Sequence, residues 1–200
     1  MNSNKSFPKM LILSAAAMFV LGTLAVLIVS QANRSRAEIP VWGQLQDFSF
    51  MNAAEEQPFG YSQMLGKINV VDFIFTNCPG ACPVMAVNME DLYQSYRGTD
   101  KVQFVSVSVD PDRDSLEALR QYAQNRGVTD SRWVFLRAPI DDVKALCEGQ
   151  FMLAADELPM GHTTKFILVD QQGQIRGYYE GLESDSMIGL KTAIRQLANE

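Results

Sequence analysis

Residues 68–76 (INVVDFIFT) form an almost unbroken β-branched and aromatic run. A run of this kind does not alternate between core and water, so it reads as a strand buried on both faces, with helices covering the sheet above and below. The segments after it follow suit. Residues 102–109 (VQFVSVSV) alternate at period two, and residues 133–136 predict a short third strand. Residues 165–170 and 174–179 bracket Gln171-Gln172-Gly173, a hairpin signal with glycine where positive φ is needed. Helical spacing fills the intervals. It runs through Met85, Met89, Leu92 and Tyr96, then Leu116, Leu119 and Tyr122, then Val143, Leu146 and Cys147, and finally Met187, Leu190, Ile194 and Leu197. Asp114 with Glu117 resembles a capping pair, and Ser184 or Asp185 caps the last helix. Strands alternating with helices and closing in an antiparallel hairpin predict an α/β fold with parallel crossovers.

That order matches a thioredoxin-like layout, a central sheet flanked by helices, and 200 residues suffice for one such domain plus an appendage. The appendage is the uncharged run at residues 10–33. As a helix its 24 residues would extend about 36 Å, enough to cross a hydrocarbon core of about 30 Å. A signal peptide's apolar region is shorter, about 7–15 residues, which favours an uncleaved anchor, although Ser30-Gln31-Ala32 offers small residues for cleavage. Both readings export the body. The division expected is a short N-terminus at 1–9, a transmembrane anchor at 10–30, a linker at 31–43 and the folded domain at 44–200. The amino terminus with Lys5 and Lys9, against Arg34 and Arg36, places the N-terminus inside. The favoured location is a bacterial inner membrane with the domain in the periplasm. Four of the 17 cations and none of the 23 acids lie in residues 1–36, so the rest carries thirteen cations against 23 acids, a net of −10. A body that acidic is a poor match for phosphate backbones, which excludes nucleic acid as a partner.

Three cysteines are too few for a disulfide-stapled scaffold. Cys78 and Cys82 lie in TNCPGACP, directly after the buried strand and before a helix, at the end of the sheet where α/β folds expose their sites. Pro83 suits a first helical turn and disfavours αR geometry at Cys82, so Cys82 reads as the N-cap, where the positive helix end lowers a thiol pKa. Two sulfurs on a short loop can form a reversible disulfide or chelate a soft cation such as Cu(I), with Zn(II) as competitor. His162, the single histidine, enters the strand at 165. If that strand lies beside the one leading to Cys78, a Cys2His set results, able to hold copper in either oxidation state and leaving a coordination position open. Cys147 falls on an apolar helical stripe and reads as core, and Met152 and Met160 are assigned to packing. Asp112, Arg113 and Asp114 read as a solvated turn and cap.

DFIFTNCPGACP, VSVDPDRDS and GHTTKFILVDQQG, in that order and spacing, resemble the three signature segments of the SCO/SenC family, over residues 44–200. These are membrane-anchored thioredoxin-like copper chaperones that assist CuA-site assembly in cytochrome c oxidase, and the run at 10–33 is similar to their layout. The resemblance implies that Cys78, Cys82 and His162 ligate copper, with Asp110 an acidic neighbour of the site. The partners it implies are the oxidase subunit carrying the CuA site, an upstream copper donor and a thiol reductant. Met160-Gly161 stands where many relatives carry an acid, so the group that holds the second nitrogen of His162 is left open. The alternative is a thiol–disulfide oxidoreductase using Cys78 and Cys82 as its redox pair.

Overall fold

The computed structural model describes residues 7–34 and 38–199, with side chains for 13–27 and 38–199. The chain divides into two compact units, Met1–Glu38 and Ile39–Glu200. The first holds helix α1 (Phe7–Arg34). Among the described residues no helix is long and apolar enough to cross a membrane, so the expected transmembrane helix finds no support there. The side chains of Lys5, Lys9, Arg34 and Arg36, on which its orientation rests, lie outside the described residues.

The second unit is a mixed sheet of eight strands with helices on its faces. In chain order the elements are β1 (Gly43–Gln44), β2 (Ser49–Asn52), β3 (Pro58–Gly60), α2 (Tyr61–Met64), β4 (Ile68–Ile74), α3 (Cys82–Ser95), β5 (Val102–Ser108), α4 (Leu116–Asn125), β6 (Trp133–Arg137), α5 (Ile140–Gly149), β7 (Lys165–Val169), β8 (Gln174–Glu180) and α6 (Ser184–Leu197). The strand order is β1-β8-β7-β4-β5-β6-β2-β3. β4, β5 and β6 are parallel, as the helix-length crossovers dictate. β7 runs antiparallel to β4 and β8 antiparallel to β7. The hairpin turns where expected, with Gly173 at φ +77°. The buried Asp170 carboxylate holds this turn by accepting from the Gln172 and Gln174 amides.

β4 is buried at all seven positions, as its composition predicts. Its alternate residues feed two cores. Val71 and Phe73 join Phe151, Ile167 and Cys82 on one side of the sheet. Val70 and Ile74 join Met85, Met89, Tyr93 and Phe166 on the other.

Three expectations need correcting. The body begins before residue 44. Ile39 is buried, the Arg176 guanidinium donates to its carbonyl while pairing with Asp170, and the Trp42 amide donates to Ile175. The end of the supposed linker is therefore stitched to the sheet edge by backbone bonds, which leave no periodic trace in a sequence. β2, β3 and α2 were likewise not predicted, being too short to show a period. Finally, Ser115 caps α4, its side chain accepting from the Ala118 amide, and Asp114 is buried behind it.

Asp72 is an acid in the middle of β4, 1% exposed. Its carboxyl accepts from the Ser106 hydroxyl at 2.6 Å, which in turn accepts from Trp133 Nε1 at 2.9 Å. Burial pushes its pKa up to about 7, against the hydrogen bonds that lower it. A pKa raised on folding means that this group's contribution to stability is complete below the ordinary carboxyl range and is lost as the pH climbs through about 7. Asp72→Asn, which keeps the shape without the charge, is expected to match wild type near pH 4. At pH 8 it should be more stable by on the order of 2 kcal/mol. Urea unfolding of both proteins across that range checks this, and an equal difference at both ends would disprove it.

Candidate metal centre

The site forms where three elements meet. β4 ends at Ile74 and its chain continues through Phe75 and Thr76 into the loop bearing Cys78. α3 starts at Cys82, with Pro83 in its first turn. β7 pairs antiparallel with β4 in the register Asn69↔Val169, Val70↔Leu168 and Val71↔Ile167. Antiparallel pairing sets the start of β7 beside the end of β4, so the residues just ahead of Lys165 face the Cys loop. Those residues include His162, whose ring stands edge-on to Phe75 at 5.6 Å between centroids.

The Cys78 and Cys82 sulfurs and a His162 ring nitrogen all lie within 4.8 Å of one another. Donors at about 2.0–2.3 Å from a common ion span at most roughly 4.6 Å, so the spread lies within a few tenths of an ångström of what one metal requires. His162 Nε2 is 3.0 Å from Cys82 Sγ, and Nδ1 is 2.9 Å from the Thr163 carbonyl oxygen. A carbonyl only accepts, so Nδ1 carries a hydrogen and Nε2 turns its lone pair toward the sulfurs. The group left open by Met160-Gly161 is thus a main-chain oxygen one residue on, which no side-chain motif could have revealed.

The charge state departs from expectation. Cys82 is the first residue of α3 rather than its cap, which is Ala81. Its thiol is pushed up to about 12, first by burial and then by hydrogen bonding with Cys78. At 2% exposure the sulfur loses more from desolvation than the helix N-terminus returns. Burial also holds His162 below its ordinary range, against the Thr163 carbonyl that raises it. Thiol and imidazole therefore meet as neutral partners, S–H against N, and not as a thiolate–imidazolium pair. Two sulfurs and one neutral imidazole form a soft to intermediate donor set, fitted to a thiophilic cation with one position open.

The other candidates have surroundings of their own. Asp110, expected as an acidic neighbour of the site and not as a ligand, is 8% exposed and turns its carboxylate to Arg113 at 3.2 Å. Cys147 is buried in the core, as its stripe predicts, and burial pushes its thiol up to about 12. Met152 and Met160, assigned to packing, are instead 59% and 67% exposed, both on the irregular segment between α5 and β7. Asp112 and Arg113 form the exposed turn expected, but Asp114 is 1% exposed. Asp114 accepts from the Thr76 amide and hydroxyl and from the Ser108 hydroxyl.

Comparison with known proteins agrees with this architecture. The SCO1/SenC family model matches residues 43–198. A SCO1 protein homolog of Bacillus subtilis is 28% identical over 152 residues, covering 72% of this chain and 78% of its own. A Stutzerimonas stutzeri protein whose name gives it copper binding is 24% identical over 131 residues, covering 62% of this chain and 63% of that protein. Among solved structures, a SCO1/SenC family lipoprotein from Bacillus anthracis aligns with TM-score 0.70 and 33% identity, over 78% of this chain and 95% of its own. BsSco, described as a member of a family of cytochrome c oxidase assembly proteins and as carrying a disulfide switch, aligns with TM-score 0.67 and 26% identity, over 79% and 98%. With a thioredoxin-like sheet, a Cys–Cys–His cluster at its open end and a family match over most of its length, the chain belongs to the SCO1/SenC family.

Proposed function

We propose that this protein carries copper on Cys78, Cys82 and His162 and hands it to a subunit of cytochrome c oxidase, the CuA-bearing one, during assembly. The observation that carries the reading is the meeting of two thiol sulfurs and a lone-pair-bearing imidazole nitrogen within 4.8 Å. Copper is here a cargo. Cu(I) prefers sulfur and accepts imidazole, and Cu(II) tolerates the same set with the nitrogen contributing more. Three donors leave a place for a ligand of the recipient, so that transfer proceeds by exchange, the incoming thiolate or imidazole binding before the loop releases. Cys78 is only half-buried, on a loop with Pro79 and Gly80, and is the ligand best placed to let go first.

The same sulfurs cannot hold copper while bonded to each other, so a disulfide and a loaded site exclude one another and a thiol reductant must act upstream. The disulfide switch named for BsSco fits that exclusion. In an oxidoreductase, Cys82 would be the poorer of the two attacking sulfurs. An attacking cysteine needs access and thiolate, and Cys82 is buried with its thiol raised to about 12, so attack would fall to the half-buried Cys78. A membrane anchor at 10–30 belongs to the proposal. It rests on the 24 uncharged residues of the run at 10–33 and on side chains of α1 such as Leu13, Phe19 and Leu24, which are more than half exposed. The body would then face the periplasm.

Titration of the reduced full-length protein in detergent with Cu(I) and with Cu(II) is expected to show one equivalent of each. His162→Ala should keep Cu(I), with weaker affinity, and lose Cu(II) affinity by at least about 100-fold. Cys78→Ser and Cys82→Ser should each remove tight Cu(I) binding. Unchanged Cu(II) binding in His162→Ala would remove the imidazole from the ligand set, and absence of binding in wild type would end the proposal.

The protonation state predicts a pH dependence with a definite sign. Cys82 holds its proton up to about pH 12, so ligation must expel it, whereas His162 has already lost its second proton at neutral pH. Apparent affinity should therefore rise with pH, by about tenfold per pH unit from Cys82 alone. Competition with a chelator of known proton affinity between pH 6 and 8 measures the slope, and a flat profile would contradict the neutral thiol.

A further inference from the structure

Cys82 is held by α3, and His162, three residues ahead of β7, has its ring tied to the Thr163 carbonyl and set edge-on to Phe75. Cys78 packs against the core but belongs to neither a helix nor a strand. It sits in an irregular loop, two residues past Thr76, where the chain leaves β4. What fixes Thr76 is one carboxyl group from a different part of the chain. Asp114 Oδ1 accepts from the Thr76 hydroxyl at 2.6 Å and from its amide at 3.2 Å, and Oδ2 accepts from the Ser108 hydroxyl at 2.7 Å.

Burying an acid is expensive unless it is compensated. Asp114 is 1% exposed, and among the described residues it forms no ion pair. Its compensation is the three donors together with the positive end of α4, which begins two residues later at Leu116. An asparagine could fill the space but could not accept from all three. The Asp114 amide itself donates to the Asp110 carbonyl at 2.8 Å, so the whole DPDRD turn is folded to deliver this carboxylate inward. The Ser108 bond ties it to the end of β5, and the Thr76 bonds tie it to the root of the Cys loop.

We infer that Asp114 is the positioning residue for Cys78, a clamp from the start of α4 that sets where the loop's first sulfur stands relative to Cys82 and His162. Metal donors must be placed to within about 0.2 Å, and Cys78 is no more than two peptide units from the clamped residue. Loss of the carboxylate frees the loop root while α3 keeps Cys82 and the Thr163 and Phe75 contacts keep His162 in place. Asp114 thus acts on copper through Cys78 and not through the imidazole. The inference rests on the proposed copper-carrying role and also applies without metal, because the same placement governs how readily Cys78 and Cys82 close a disulfide.

Asp114→Asn and the isosteric Thr76→Val, made in the full-length protein, test it with two readouts. In Cu(I) competition each should weaken binding by about tenfold, the scale of an outer-shell loss. That loss should disappear in a Cys78→Ser background and persist in a His162→Ala background. In a metal-free glutathione titration the Cys78–Cys82 dithiol–disulfide equilibrium should shift at least threefold in both variants. A merely structural role would cost the same in both backgrounds, and that result, or an unmoved glutathione equilibrium, overturns the inference. Should wild type bind no copper, the copper-carrying reading fails by itself, and the glutathione shift alone decides the role of Asp114. Should Asp114→Asn fail to fold, Thr76→Val carries both readouts.

Discussion

The antiparallel pairing of β7 with β4 is the contact on which the rest of this protein depends. Three matched pairs, ending at Val71↔Ile167, fix the direction and register of the hairpin relative to the central strand. Direction matters because strand ends carry the chemistry. A β7 running parallel to β4 would put the segment before Lys165 at the far end of the sheet, strand-lengths from the cysteines. Register matters because a slip of one residue would turn Phe166 and Leu168 toward the core that Ile167 and Val169 now fill. Both faces of β7 are buried, so that slip is forbidden by packing on two sides at once. The sulfur–imidazole contact is therefore a by-product of apolar side chains finding their places.

What the pairing assembles is a site that is electrically quiet until metal arrives. The imidazole presents a lone pair because the Thr163 carbonyl takes its other hydrogen, and the Cys82 thiol keeps its proton because burial penalises the thiolate more than the helix end favours it. A free thiolate beside an exposed loop would invite oxidation, whereas a protonated thiol becomes a ligand only when a cation displaces the proton. The free energy of binding any metal there is reduced by the cost of that deprotonation.

The acids of the DPDRD turn show how far position in a fold outweighs residue type. Asp110, Asp112 and Asp114 are chemically identical and spaced two apart. One pairs with Arg113 near the surface, one is solvated, and one is sealed against the root of the Cys loop. The sealed one reads from sequence as part of a solvated turn and cap, since an Asp followed three residues later by Glu117 resembles a capping pair. Ser115 took that duty, which released the carboxylate to turn inward. Met152 and Met160 depart from expectation in the opposite sense, being apolar yet exposed.

The sequence by itself determined the local pieces. The buried run of β4, the helical stripes after it, the glycine turn at 173 and the placement of Cys78 and Cys82 between a strand and a helix all follow from periodicity and from the preferences of Gly and Pro, which act over a few residues. It also singled out the two cysteines and the lone histidine as the chemistry to watch. Only the tertiary structure decided that the histidine reaches the sulfurs, because strand order is settled by which apolar faces fit across the sheet, and no short stretch of sequence records it. The same holds for the thiol's proton, for the Thr163 carbonyl on the imidazole and for the inward turn of Asp114. Each depends on how much water the folded chain excludes at one point, a property of neighbours distant in sequence.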